Sequence, residues 1–169
     1  IMGIKERSLL INKILRNFKS IDSADVTINY YKHEYEPYPD FLTIDFSLCA
    51  ANLYAQKFLT ENKIEFLARS INVLNAKEVT YSLLTFPIQD LLNINASNLY
   101  VTKTGSILTK GKSYFDSDLV LRREAENIKG IFSLDKLYNV FICDKETKKK
   151  LEKSGLTGFY FEELEVAED

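Results

Sequence analysis

The segment EVTYSLLTF, Glu78 to Phe86, limits the fold more than any other stretch of the chain. Its β-branched and aromatic residues suit a buried strand, and Pro87, which has no amide to donate, ends it. Other strand-like runs can accompany it. From Val26 the pattern alternates, with Val26, Ile28 and Tyr30 on one side and Thr27, Asn29 and Tyr31 on the other. FLTIDF (41–46), IEFLAR (64–69), DLVLRR (118–123), IFSL (131–134) and VFIC (140–143) read as further short strands. NLYVTKTGSILTK (98–110) reads as a hairpin turning at Thr104 and Gly105.

Helical spacing appears in fewer places. Between Ile4 and Phe18, the residues Leu10, Ile11, Ile14, Leu15 and Phe18 form one apolar stripe. A second helix is expected through LCAANLYAQKFLTENK (48–63), capped by Asp45 or Ser47, with Cys49, Leu53 and Phe58 toward a core. Together these elements predict an α+β fold with a mixed or largely antiparallel sheet and a few packed helices. No linker or low-complexity run divides the 169 residues, so a single α+β domain over 1–169 is expected.

The stretch KSGLTGFYFEELE, 153–165, asks for an explanation of its two glycines. Asp144 is a fair N-cap for a short helix from Glu146 to Lys153 with Leu151 turned inward. Gly155 falls where a helix needs a left-handed C-terminal residue, and Gly158 where backbone or a bulky neighbour comes close. Beyond it, a strand is expected with Phe159 and Phe161 on one face and Tyr160 on the other. The helix-turn pattern echoes YAQKFLTENKIEFLAR (54–69), with Ile64 and Leu156 in equivalent places.

Composition narrows function. The formal charge of −2 argues against a protein that neutralises phosphates, so nucleic acid is not expected as a partner. Lys145, Lys148, Lys149, Lys150 and Lys153 read as the solvated face of a helix. Cys49 and Cys143, the only cysteines, sit in apolar settings and read as buried thiols in a reducing compartment. The opening IMGIKERSLLINKIL is too short and interrupted for a membrane span or a secretory core, which makes the cytoplasm the expected location.

Catalytic constellations are weak. KGKSY, 110–114, contains Gly-Lys-Ser, but a phosphate loop needs a glycine at 106, where Ser106 stands. His33 is the only histidine and lacks metal-ligand spacing to any cysteine. Asp22, Asp25, Glu34, Glu36 and Asp40 could pair as acid and base, with no spacing to show it. No catalytic, cofactor or metal residue is therefore assigned, and none is needed for a binding module. The most suggestive composition is Tyr30, Tyr31, Tyr35 and Tyr38 interleaved with charged residues. Such tyrosines suit protein recognition, while Tyr30 and Tyr31 fit equally a strand packed in the core.

GIFSLDKLYNVFICDKETKKKLEKSGLTGFYFEELE, 130–165, resembles the closing motif of a bacterial polymorphic-toxin immunity-protein family first catalogued as a domain of unknown function. SGLTGF is the sharpest part. IEFLARSI followed by VTYSLLTFPIQDLLNINAS, with its Asp90, resembles that family's middle region, so the likeness covers about 51–165 and leaves the N-terminal part unaligned. The resemblance implies a small cytoplasmic, non-catalytic protein that binds and neutralises a cognate toxin without a cofactor. The candidate contact residues are Tyr30, Tyr31, Tyr35, Glu36, Tyr38 and Asp40, in a proline-constrained aromatic and acidic loop. A small-molecule hydrolase or transferase, and a general protein-interaction module, are the alternatives.

Overall fold

The structure is a computed structural model that describes residues 27–29, 38–44, 48–74, 79–103, 107–109, 119–135 and 137–168. It is α+β, and antiparallel pairing dominates its sheets. The chain divides into two compact units, Ile1–Phe86 with Leu151–Phe159, and Pro87–Lys150 with Tyr160–Asp169.

The first unit holds a five-stranded sheet built from β1 (Thr27–Asn29), β2 (Phe41–Ile44), β3 (Leu48–Asn52), β4 (Leu67–Leu74) and β5 (Tyr81–Thr85). Its order is β1-β4-β5-β3-β2; β1 pairs with β4 in parallel and every other neighbour is antiparallel. The expected buried strand is the centre of this sheet. Tyr81, Ser82, Leu83 and Leu84 are all buried, so β5 is covered on both faces, which explains why its sequence shows no alternation.

Helix α1 (Leu53–Glu61) follows β3 directly. It starts later than the sequence suggested, because Leu48–Asn52 pairs with both β2 and β5 as a strand. Asn52 is the N-cap, its side-chain oxygen accepting from the Ala55 amide at 2.9 Å, and neither Asp45 nor Ser47 takes that place. The inward residues are Ala55 and Leu59, while Leu53 is 69% exposed and Cys49 lies on β3. The strand expected from Ile64 begins three residues later, at Leu67, after Ile64 itself has been buried by the helix end.

The second unit contains β6 (Ile88–Gln89), β7 (Leu99–Val101), β8 (Ile107–Thr109), β9 (Val120–Leu121), a 3-10 turn at Arg123–Asn127, β10 (Ile131–Leu134), β11 (Leu137–Cys143) and β12 (Glu165–Val166). They form a three-stranded sheet ordered β11-β10-β6 and two pairs, β7 with β8 and β12 with β9. The β7–β8 pair is the expected hairpin, with its turn outside the described residues. Leu92, Leu99, Leu121, Phe132, Leu134 and Leu137 belong to one buried cluster that holds this unit together. Ser97, fully buried, is satisfied by its surroundings: its hydroxyl contacts the carbonyls of Asn93 (2.6 Å) and Val120 (3.1 Å) and accepts from the Val120 amide at 2.9 Å.

Helix α2 (Lys145–Ser154) begins in this unit. Asp144 caps it as expected: one carboxylate oxygen accepts from the amides of Glu146 (2.9 Å) and Thr147 (3.2 Å), the other from the Thr147 hydroxyl (2.7 Å) and the Gly130 amide (2.6 Å). Lys145, Lys149, Lys150 and Lys153 are exposed, and Lys148 lies 5.7 Å from the centre of the Phe161 ring. Leu151 is buried.

The strand expected across Phe159 to Phe161 is absent; 156–164 follow an irregular path, and pairing resumes only at β12. Just before Phe159, the Thr157 carbonyl accepts from the Phe41 amide at 3.0 Å and Gly158 turns the backbone at φ +93°. The helix at Ile4 to Phe18 lies outside the described residues.

Candidate functional site

The candidate contact segment enters the described structure at Tyr38. Tyr30, Tyr31, Tyr35 and Glu36 lie outside the described residues, as do His33, the KGKSY stretch and the carboxylates Asp22, Asp25 and Glu34. Tyr38 is half-buried and Asp40 follows it after Pro39.

Asp40 sits where four parts of the first unit meet. One carboxylate oxygen accepts from the Asn52 side-chain amide at 2.8 Å. The other accepts from the Thr157 amide at 2.8 Å and the Thr157 hydroxyl at 3.0 Å. The Asp40 amide donates to the Thr157 hydroxyl oxygen at 3.2 Å, and the Asp40 carbonyl accepts from the Asn52 amide at 3.0 Å. Beside it, the hydroxyl of fully buried Tyr81 reaches up from β5 to the Pro39 carbonyl at 2.6 Å. The segment is thus fixed by its own backbone and by one carboxylate.

The SGLTGF stretch supplies the far side of this arrangement. Gly155, at φ +74°, reverses the chain after α2, with the Ser154 hydroxyl donating to the Leu151 carbonyl (2.6 Å) and accepting from the Leu156 amide (3.1 Å). The turned chain then lies along the edge strand β2: the Phe41 amide donates to the Thr157 carbonyl at 3.0 Å, and Phe159 meets Phe41 edge-on with ring centres 5.6 Å apart. Gly158, at φ +93°, passes so close that a Cβ there would fall within the Phe41 carbonyl oxygen. Close backbone approach is therefore the reason for the second glycine, as its place in the sequence suggested.

Sequence reasoning missed Leu53 and Tyr54. They are 69% and 61% exposed, and they directly follow Asn52, whose side chain is bonded to Asp40. A leucine and a tyrosine in the first turn of a helix read as core residues until the true start of α1 is known. Half-buried Tyr38 thus stands two residues before Asp40, and exposed Leu53 and Tyr54 directly follow its partner Asn52.

In the second unit, an open groove of about 640 Å³ is lined by Leu92, Ile94, Leu99, Tyr100, Val101 and Arg122 among others. Arg122 pairs there with Asp90 at 3.4 Å, and both side chains are well exposed, so the pair contributes little to stability. Among the described residues, no three histidine, cysteine or carboxylate side chains gather where they could hold a metal ion. Cys49 is part-buried, and burial pushes its thiol up to about 12, which makes it a poor nucleophile at neutral pH. No described helix is long and apolar enough to cross a membrane.

No protein-family model matches the sequence, and no curated protein does.

Proposed function

We propose that this chain is a cytoplasmic, non-catalytic immunity-type protein that binds a cognate bacterial toxin and blocks it. The observation that supports the reading most is the use made of SGLTGF, the stretch that carries the resemblance. Gly155 turns the chain, Thr157 bonds Asp40 and Gly158 admits Phe41, so the whole stretch serves the fold, as a structural signature of a family would. Binding then belongs to the surface that this stretch supports, where Tyr38, Leu53 and Tyr54 offer apolar area with polar tips. Neutralisation follows from covering the toxin's active site or its substrate path, and it needs neither cofactor nor catalytic group.

Affinity capture with the tagged protein from its native bacterium, followed by co-expression with the toxic domain of any large secreted protein recovered, tests this reading. Recovery of such a protein and restored growth are the expected result. Capture of no protein whose expression is toxic contradicts the reading, and returns the small-molecule enzyme and the general interaction module to first place.

A further inference from the structure

We infer that Asp40 and Thr157 are positioning residues: they hold in place the two segments that carry Tyr38 and Leu53–Tyr54 without themselves forming partner contacts. The inference rests on the reading of those segments as the partner-binding ones, and it makes Asp40 a positioning residue in place of the partner contact expected from composition.

The carboxylate of Asp40 already accepts three hydrogen bonds from within the chain, two from Thr157 and one from Asn52. Three of its roughly four acceptor positions are thereby filled, which leaves little for a partner to use. Its connections run in two directions. Toward the N-terminus they fix Pro39 and Tyr38, helped by the Tyr81 hydroxyl on the Pro39 carbonyl. Toward the C-terminus they run through Asn52, which gives its side-chain amide to Asp40 and its side-chain oxygen to the Ala55 amide. Leu53 and Tyr54 lie between those two attachment points. A line of hydrogen bonds thus joins Thr157 to Asp40, Asn52 and Ala55, across residues 117 apart in sequence at its first step.

Large exposed side chains lose freedom when a partner covers them, and a surface whose backbone is already set loses less. The fraction of molecules holding the competent arrangement also scales the apparent affinity directly. Thr157 is well suited to control this fraction because its hydroxyl both donates to the Asp40 carboxylate and accepts from the Asp40 amide.

Amide hydrogen exchange on the full chain, with no partner present, tests the inference. Thr157→Val keeps the side-chain shape and the backbone amide but removes the hydroxyl. The Ala55 amide, which never touches Thr157, is expected to exchange at least about fivefold faster in this variant, while the amides of Tyr81 to Leu84 keep their wild-type rates. Thr157→Ser is expected to restore the wild-type rate at Ala55. Asp40→Asn, which retains one carbonyl oxygen, serves if the valine variant does not fold, and is expected to act in the same direction. An unchanged rate at Ala55, or equal acceleration in β5, would overturn the inference. If instead the exchange result is as expected but Leu53→Ala and Tyr54→Ala protect cells from the toxin as well as wild type does, the partner-binding reading fails and the positioning network stands.

Discussion

Lys63 adopts a left-handed backbone, φ 57°, just after α1, in the place that Gly155 occupies after α2. The two ends correspond residue by residue: a buried leucine, Leu59 or Leu151, stands four positions before, and a buried Ile64 or Leu156 one position after. At α1 the Ile64 amide donates to the Leu59 carbonyl at 2.9 Å and the Lys63 amide to the Thr60 carbonyl at 3.0 Å, the double bond pattern of a Schellman end. A Cβ is strained in that conformation, so Lys63→Gly should stabilise the protein by about 0.5–1 kcal/mol in urea unfolding. Gly155→Ala should cost about 1 kcal/mol, because nothing lies within 4 Å and only backbone strain opposes it. Gly158→Ala should cost about 2 kcal/mol or more, since the Phe41 carbonyl must also move. Equal losses at the two glycines would contradict the close-approach account. These glycine roles were legible from their place just after the expected helix end at Lys153; Lys63 carried no such signal, because lysine has no preference for that conformation.

Among the elements, α2 depends on its first residue outside the helix. Asp144 joins the cap to Gly130 with four accepted bonds, and Asp144→Ala should cost about 1–2 kcal/mol. Desolvation acts to raise this carboxyl, but the bonds from the Thr147 hydroxyl and from the Gly130, Thr147 and Glu146 amides outweigh it and hold it below the usual carboxylate value. A depressed carboxyl stabilises the fold above its unfolded value of about 3.9, and that contribution is lost as pH falls through the lower folded value. Stability measured between about pH 5 and 2 should therefore fall less steeply in Asp144→Asn than in wild type. Identical slopes would remove Asp144 from the acid response. Elements with a local signal were readable in advance: the α2 cap, the β7–β8 hairpin and the β5 strand all follow from neighbouring residues. β3 was not, because LCAAN becomes a strand only through pairing with β2 and β5, and the same apolar residues fit a helix when read alone. The run after Gly158 failed in the opposite sense. FYF alternates like a strand, yet the residues just before it, Thr157 and Gly158, are held against Phe41 on the β2 edge.

For the molecule as a whole, the fold class was open to sequence reasoning. Composition singled out Tyr38 and Asp40 as partner contacts, whereas the Asp40 carboxylate is bonded within the chain to Asn52 and Thr157, and the exposure of Leu53 and Tyr54 follows only from the true start of α1. Cys49 should resist alkylation in the folded protein at pH 8 and react on unfolding, as expected for a thiol pushed up to about 12; rapid native labelling would contradict its burial. Whether the fold presents a toxin-neutralising surface, as we propose, is read from the growth of cells producing the toxic domain recovered by affinity capture, with co-expressed wild type or with Tyr38→Ala/Tyr54→Ala at matched levels and matched melting temperatures. Wild type is expected to restore growth and the double variant is not. Failure of wild type to restore growth would contradict the proposed function, and full rescue by the double variant would contradict the surface assigned to it.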